Sequence, residues 1–172
     1  ALEIFQDLSQ PDQVAGIRRA ALEGLLRLQG DQAAATILAW VSESDVDRRR
    51  VASGHLHTLP NDRLNTLLAQ LPDLPDTAKL AVIELGVLRR GKEMLPIVHS
   101  LLKENDPKLK LAGVRYLGAV GDASAIPALV EMLSADERLA GAAQDALVRL
   151  PRKELTLALL DALQNRPALR IR

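Results

Sequence analysis

The fold is decided by residues 106–133, which read DPKLKLAGVRYLGAVGDASAIPALVEML. The first half of this stretch places apolar side chains at the three- and four-residue spacings of one helix face. These are Leu111, Ala112, Tyr116 and Ala119. Gly121 and Asp122 interrupt the pattern, since glycine can close a helix and aspartate can cap the next one. A second apolar stripe around Ile126 and Leu129 follows. The stretch therefore predicts two amphipathic helices joined by a tight turn.

The same pattern recurs along the chain with a nearly constant period. An alanine occupies the matching position in the first helix of five successive hairpins, with spacings of 31, 29, 31 and 31 residues. These alanines are Ala21, Ala52, Ala81, Ala112 and Ala143. A hairpin of this size cannot bury its apolar stripe alone, so neighbouring hairpins must stack. The period predicts an all-α fold, a right-handed superhelix of about five helical hairpins.

The repeat boundaries follow from the breakers between the apolar stripes. We expect five hairpins with the approximate bounds 11–43, 45–72, 75–104, 106–134 and 136–165. Residues 1–10 are predicted to be the end of a preceding repeat, and 166–172 the start of a following one. We therefore expect 1–172 to be a single array belonging to a longer protein.

Composition agrees with a helical array and excludes several kinds of site. Hydrophobic residues make up 48% of the 172 residues and aromatic residues only 2%, so alanine and leucine must fill the core. The absence of cysteine excludes disulfides, thiolate metal sites and cysteine catalysis. No apolar run approaches the roughly 18 residues of a membrane helix. Lys+Arg and Asp+Glu are both 22, which argues against a nucleic-acid-binding groove.

The fourth repeat resembles a known family, the HEAT repeats, and in particular the short bacterial type related to phycobilin lyase repeats. The resemblance is carried by the opening at 106–110, the Gly121-Asp122 turn and the segment 125–129. The second repeat departs most, because Pro60 replaces the Gly-Asp turn. Membership of this family implies an α-solenoid that offers binding surfaces far more often than it performs chemistry.

The histidines are not predicted to form a metal or catalytic site. His55 and His57 are two residues apart, so on a helix they point about 200° away from each other. His99 lies in another repeat and has Lys103, not a ligand, four residues later. We therefore predict no catalytic residue, no metal and no cofactor, and we expect a protein that is not an enzyme.

The strongest local basic feature is the run Arg48-Arg49-Arg50, with Arg18-Arg19 one repeat earlier. One interpretation is a patch for a small anion or an acidic peptide. The other is a pair of helix starts whose charge is compensated by Asp45 and Asp47. The sequence favours the second interpretation.

A partner-binding groove is predicted on the second helices of the repeats. Counting 100° per residue from the apolar columns, with Leu38 as the inward residue of the first repeat, places Trp40 on the outer face. The candidate groove residues are Trp40, Gln70, His99, Glu131 and Asp161. Tryptophan is a frequent interface anchor, so Trp40 is the first candidate contact.

The leading functional hypothesis is a non-catalytic scaffold whose concave groove binds another protein or peptide. A lyase-type or enzyme-associated module with a small ligand in the concave face is the alternative. A sequence-independent nucleic-acid binder is the second alternative, disfavoured by the zero net charge. The sequence identifies neither the partner nor the cellular compartment.

Overall fold

Helices make up all the regular secondary structure in the part of the chain that the structure describes. A computed structural model describes residues 1–150 and 156, apart from the side chain of Asp31. The α-helices among these residues are α1 (Leu2–Leu8), α2 (Ala15–Gln29), α3 (Ala33–Ser42), α4 (Val46–Leu56), α5 (Asn61–Ala69), α6 (Asp76–Arg90), α7 (Leu95–Leu101), α8 (Pro107–Val120), α9 (Ile126–Met132) and α10 (Glu137–Arg149). Short 3-10 turns span Gly30–Gln32, Leu71–Asp73, Gly91–Met94 and Ala123–Ala125. The predicted all-α class is confirmed.

Aspartate side chains begin three of the first helices. The Asp45 carboxylate accepts hydrogen bonds from the amides of Asp47 and Arg48, and Asp136 accepts them from Arg138 and Leu139. Asp106 performs the same role for α8. Each carboxylate satisfies amide groups that the first helical turn leaves without partners.

Glycine and proline set the junction between the first and second helices. Gly30 and Gly91 have φ values of 52° and 55°, which glycine adopts without steric cost, and they end α2 and α6. Pro96 and Pro127 lie in the first turns of α7 and α9. Proline fits there because the first-turn amides have no partner inside the helix.

The chain divides into two compact units, Ala1–Leu85 and Gly86–Arg172. In the first, α1 packs on α2, α2 contacts both α3 and α4, and α3 packs on α4. The largest fully buried side chains of this unit are Leu22, Leu26, Ile37, Leu64, Ile83 and Leu85. The Phe5 ring of α1 lies directly over Gly24, where any Cβ would come within 2.7 Å of the ring.

In the second unit α8 contacts α7 and α10, and α9 packs on α10. Its largest fully buried side chains are Met94, Leu101, Leu109, Leu117, Ile126 and Leu129. Helices α8 and α10 approach so closely that a Cβ on Gly118 would be 2.7 Å from the Ala146 Cα. A small residue at position 118 is therefore required by the packing of these two helices.

Two further observations complete the fold. None of the helices in residues 1–150 is long and apolar enough to span a membrane. The second helix of the predicted repeat 136–165 and the predicted start of a repeat at 166–172 lie outside the described residues, so the five-repeat division stays a prediction.

Candidate functional site

A buried arginine joins α2 and α4, which are the first helices of the first two repeats. Arg18 of α2 is only 8% exposed, and its Nε donates to the Ser9 carbonyl at 3.0 Å. Its Nη1 donates to Asp47 Oδ2 at 3.0 Å, and its Nη2 forms an ion pair with Asp45 Oδ2. Each guanidinium nitrogen thereby has a partner, either at the start of α4 or in the loop before α2. We call Arg18, Asp45 and Asp47 the ionic clamp.

The ionic clamp shifts the protonation equilibria of its members. The hydrogen bond from Arg18 holds the pKa of the Asp45 carboxyl below its ordinary value of 3.8, against the opposing effect of burial. The pKa of Arg18 is raised in turn, chiefly by the same hydrogen bond. Both shifts reflect the mutual stabilisation of the charged forms, which is what an ion pair between two helices provides.

Trp40 lies inside the protein and not on an exposed face. Its side chain is buried, at 8% exposure, and the Arg48 guanidinium carbon lies 5.5 Å from the ring centroid. This separation is within the range of a cation–π contact. The structure thus differs from the outward orientation expected from the sequence.

The difference arises from the choice of the inward column in α3. The deeply buried residue there is Ile37, at 2% exposure, whereas Leu38 is only half-buried. A one-residue change rotates the helical wheel by about 100°. Trp40 then stands three residues after the buried column, on the same face, in the position that Leu101 holds relative to Val98.

The arginine run beside Trp40 is divided among different roles. Arg48 donates from Nη1 to Glu43 Oε2 at 2.9 Å, while Arg49 donates from its own Nη1 to the Glu43 carbonyl oxygen, also at 2.9 Å. Arg50 is exposed and turns toward a groove between α2 and α4. The interpretation that these arginines are compensated by nearby acids therefore holds for Arg18 and Arg48 but not for Arg50.

Two of the residues predicted for the groove meet in one cavity of the carboxyl-terminal unit. His99 and Glu131 line an open cavity of about 330 Å³ between α7 and α9. The complete lining is His99, Leu102, Lys103, Ala128, Glu131 and Met132. We call this the second-helix cavity. It combines an apolar surface with a cation, an anion and an imidazole.

The other members of this lining were missed because equivalent positions of neighbouring helices do not face each other. Around α7 the cavity residues follow Val98 by one, four and five positions, which is one flank of the helix. On α9 the cavity residues are Ala128, one position before Leu129, and Glu131 and Met132, two and three positions after it. These positions lie on the opposite flank relative to the buried column. Starting from His99, the i, i+3, i+4 spacing identifies Leu102 and Lys103.

The remaining groove candidates are not placed in this cavity. Gln70 is exposed at the carboxyl end of α5, in the first unit. Asp161 lies outside the described residues. A binding role for any of the five residues stays a prediction.

Within residues 1–150, no three histidine, aspartate or glutamate side chains lie close enough together to hold a metal ion.

The pKa of Asp122 is lowered, chiefly by a hydrogen bond that the Ser124 hydroxyl donates to it. Asp122 also lies 3.7 Å from the Lys92 ammonium. This carboxylate caps the 3-10 turn before α9, which is a structural role.

Comparison with known families agrees with the all-helical repeat fold. Residues 64–148 match the family model described as HEAT repeats. The predicted resemblance to HEAT repeats is confirmed over this stretch, which includes the whole of the fourth repeat. HEAT repeats commonly mediate protein–protein interaction. No curated protein matches the sequence.

Proposed function

We propose that the protein is a non-catalytic HEAT module whose second-helix cavity contacts another protein. The observation that carries this proposal is the lining of the cavity between α7 and α9. Leu102, Ala128 and Met132 provide an apolar surface, while His99, Lys103 and Glu131 provide polar groups. An apolar centre with a polar rim is the usual composition of a protein interface.

The chemistry of the lining favours a protein partner. Met132 can adapt its shape to a partner's side chain, because methionine is unbranched and polarizable. Lys103 and Glu131 carry opposite charges, so the cavity has no excess of charge that would select a polyanion such as nucleic acid. Its volume of about 330 Å³ leaves room for one or two side chains of a partner.

Site-specific photocrosslinking tests the proposal. A photoreactive amino acid is introduced at Glu131, and the full chain is irradiated in extract from its source cells. The matched control carries the same group at Gln144, an exposed residue of α10 outside the cavity. We expect one discrete protein adduct from position 131 that is absent from position 144.

A second variant tests whether the adduct depends on the cavity surface. Met132→Glu adds a charge to the apolar part of the lining and should abolish the adduct at position 131, while circular dichroism shows that the helices remain. A cross-linked protein that persists at full yield in Met132→Glu, or that appears equally at position 144, would contradict the proposal. A cross-link from position 131 to RNA or DNA would favour the nucleic-acid alternative instead.

A further inference from the structure

A second open groove lies in the amino-terminal unit, between α2 and α4, with a volume of about 540 Å³. It is lined by small residues and by charged side chains that are mostly cationic. The charged and titratable residues are Arg19, Arg27, Arg50, His55 and Glu23. Three guanidinium groups therefore face a single carboxylate. We call this the arginine groove.

The acids near the arginine groove are largely engaged elsewhere. Asp45 and Asp47 belong to the ionic clamp with Arg18, and Glu43 pairs with Arg48 at 2.9 Å. Arg50 forms no ion pair with any residue in the described part of the chain. The groove thus keeps an excess of positive charge.

The ion pairs of the other two arginines are long, although the Arg19 Nε also donates a hydrogen bond to the Ala15 carbonyl at 3.1 Å. Arg19 Nε is 3.9 Å from Asp47 Oδ1, and that aspartate already accepts the stronger bond from Arg18. Arg27 Nη2 is 3.8 Å from Glu23, and the Arg27 side chain is 75% exposed. Pairs of this length and exposure contribute little, so both guanidinium groups can exchange them for a ligand.

The floor of the groove admits a close approach. Gly16, Ala20 and Gly54 line it, and a Cβ built on Gly16 or Gly54 meets no atom within 4 Å. The space above the two helices is therefore open, and a partner's backbone can lie against theirs.

The spacing of the arginines fits an extended peptide. Arg19 and Arg27 are eight residues apart on α2, which is about 12 Å along a helix axis. Residues four apart in an extended strand are separated by about 13 Å and point to the same side. Two carboxylates four residues apart in a partner segment therefore match Arg19 and Arg27.

Glu23 selects between peptide and nucleic acid. It lies halfway between Arg19 and Arg27 on α2, so its carboxylate repels any negative charge midway along the ligand. A nucleic acid strand carries a phosphate at every nucleotide and cannot leave that position neutral. A peptide can place an uncharged residue there.

We propose that the arginine groove binds an extended acidic segment of a partner protein. The segment has two carboxylates four residues apart and an uncharged residue at the position midway between them. This proposal goes beyond the function assigned to the second-helix cavity, because it concerns different residues in the other unit. Either site can fail without the other.

Nuclear magnetic resonance titration of the full chain tests it. The probe is an acetylated and amidated seven-residue peptide with two glutamates four positions apart among serine, alanine and glycine. We expect saturable shifts of the Arg19, Arg27 and Arg50 side-chain Nε signals, with a Kd on the order of 1–10 mM for a few exposed ion pairs. The same peptide with glutamines should produce none.

Variants locate the binding. Arg27→Gln and Arg50→Gln should each weaken binding about threefold, as expected for loss of one exposed ion pair. Lys108→Gln, an exposed residue of α8, should leave the Kd unchanged. A peptide with a third glutamate midway between the other two should bind Glu23→Gln more tightly than it binds wild type.

Three results would overturn the proposal. The glutamine peptide could produce equal shifts, which would show that the carboxylates are irrelevant. The Arg27→Gln and Arg50→Gln variants could bind as tightly as wild type. A ten-nucleotide oligothymidylate could shift the same arginine signals at lower concentration than the peptide, which would assign the groove to nucleic acid.

Discussion

Two pairs of neighbouring first helices in this protein are held together in different ways. Helices α2 and α4 carry repeat alanines 31 residues apart, and so do α8 and α10. Yet α2 and α4 are joined by Arg18 and the aspartates of the ionic clamp, whereas α8 and α10 meet through Gly118 and Ala146. The same repeat therefore accommodates an ionic interface in one unit and a close apolar interface in the other.

One position explains much of this difference. Arg18 stands three residues before its repeat alanine, and Leu109 stands in the same place in the fourth repeat, at 1% exposure. The next repeat always begins with a capping aspartate, Asp45 or Asp136. Only the first of these caps faces an arginine from the preceding repeat, so only that cap becomes part of an ion pair.

The largest effect is expected when Arg18 receives the side chain that the fourth repeat uses. Arg18→Leu should lower the free energy of unfolding by about 3 kcal/mol, because it leaves two partly buried carboxylates without their cation. Urea denaturation followed by the fluorescence of Trp40, the one tryptophan of the sequence, measures this in the first unit.

A compensated variant is the control for that measurement. Adding Asp45→Asn and Asp47→Asn to Arg18→Leu removes the stranded charges and should restore most of the loss, since a buried ion pair can be replaced by neutral groups at little cost. If Arg18→Leu alone cost less than about 1 kcal/mol, the ionic clamp would be no stronger than an exposed pair.

The close interface of the second unit is tested by adding one methyl group. Gly118→Ala should destabilise by about 2 kcal/mol, because its Cβ meets the Ala146 backbone and neither helix can move aside freely. Gly141→Ala is the matched control in α10, where an added Cβ meets no atom within 4 Å. It should stabilise by about 0.5–1 kcal/mol through helix propensity. Thermal unfolding that shows the same sign for both variants would refute the close contact.

The ionic clamp should also make stability depend on pH. The folded-state pKa of Asp45 lies below its ordinary value of 3.8, so its contribution is present above that value and is lost as the pH falls toward the folded pKa. The difference in unfolding free energy between wild type and Asp45→Asn should be constant at neutral pH and shrink below about pH 4. In an Arg18→Leu background the difference should lose this pH dependence, and its persistence there would mean that another group is responsible.

The smallest effect is expected at the ring contact of Trp40. Arg48→Met retains the aliphatic stem over the indole but removes the cation together with its pair to Glu43, so the total loss should be about 0.5–1 kcal/mol. The loss of the ring contact itself should appear as a shift in Trp40 emission. Arg49→Met changes a neighbouring arginine that is not over the ring and should leave the emission unchanged. Equal emission spectra for Arg48→Met and wild type would remove the cation–π contact from the account.

The sequence predicted the helices well because their signals are local. The repeat alanines, the capping aspartates and the prolines at Pro96 and Pro127 act within one or two turns of the chain. The candidate site depends on how helices face each other, which local periodicity does not determine. A one-residue error in the column of α3 placed Trp40 outside, and the use of equivalent positions hid Leu102 and Lys103 from the cavity of His99.

The most direct test of the contrast between the two interfaces is a pair of conservative substitutions at equivalent caps. Asparagine caps a helix about as well as aspartate, so Asp136→Asn should change the unfolding free energy by less than about 0.5 kcal/mol. Asp45→Asn removes the charge that Arg18 requires and should cost about 2 kcal/mol. Equal costs for the two substitutions, measured by urea denaturation at neutral pH, would contradict an ionic interface that is specific to the first unit.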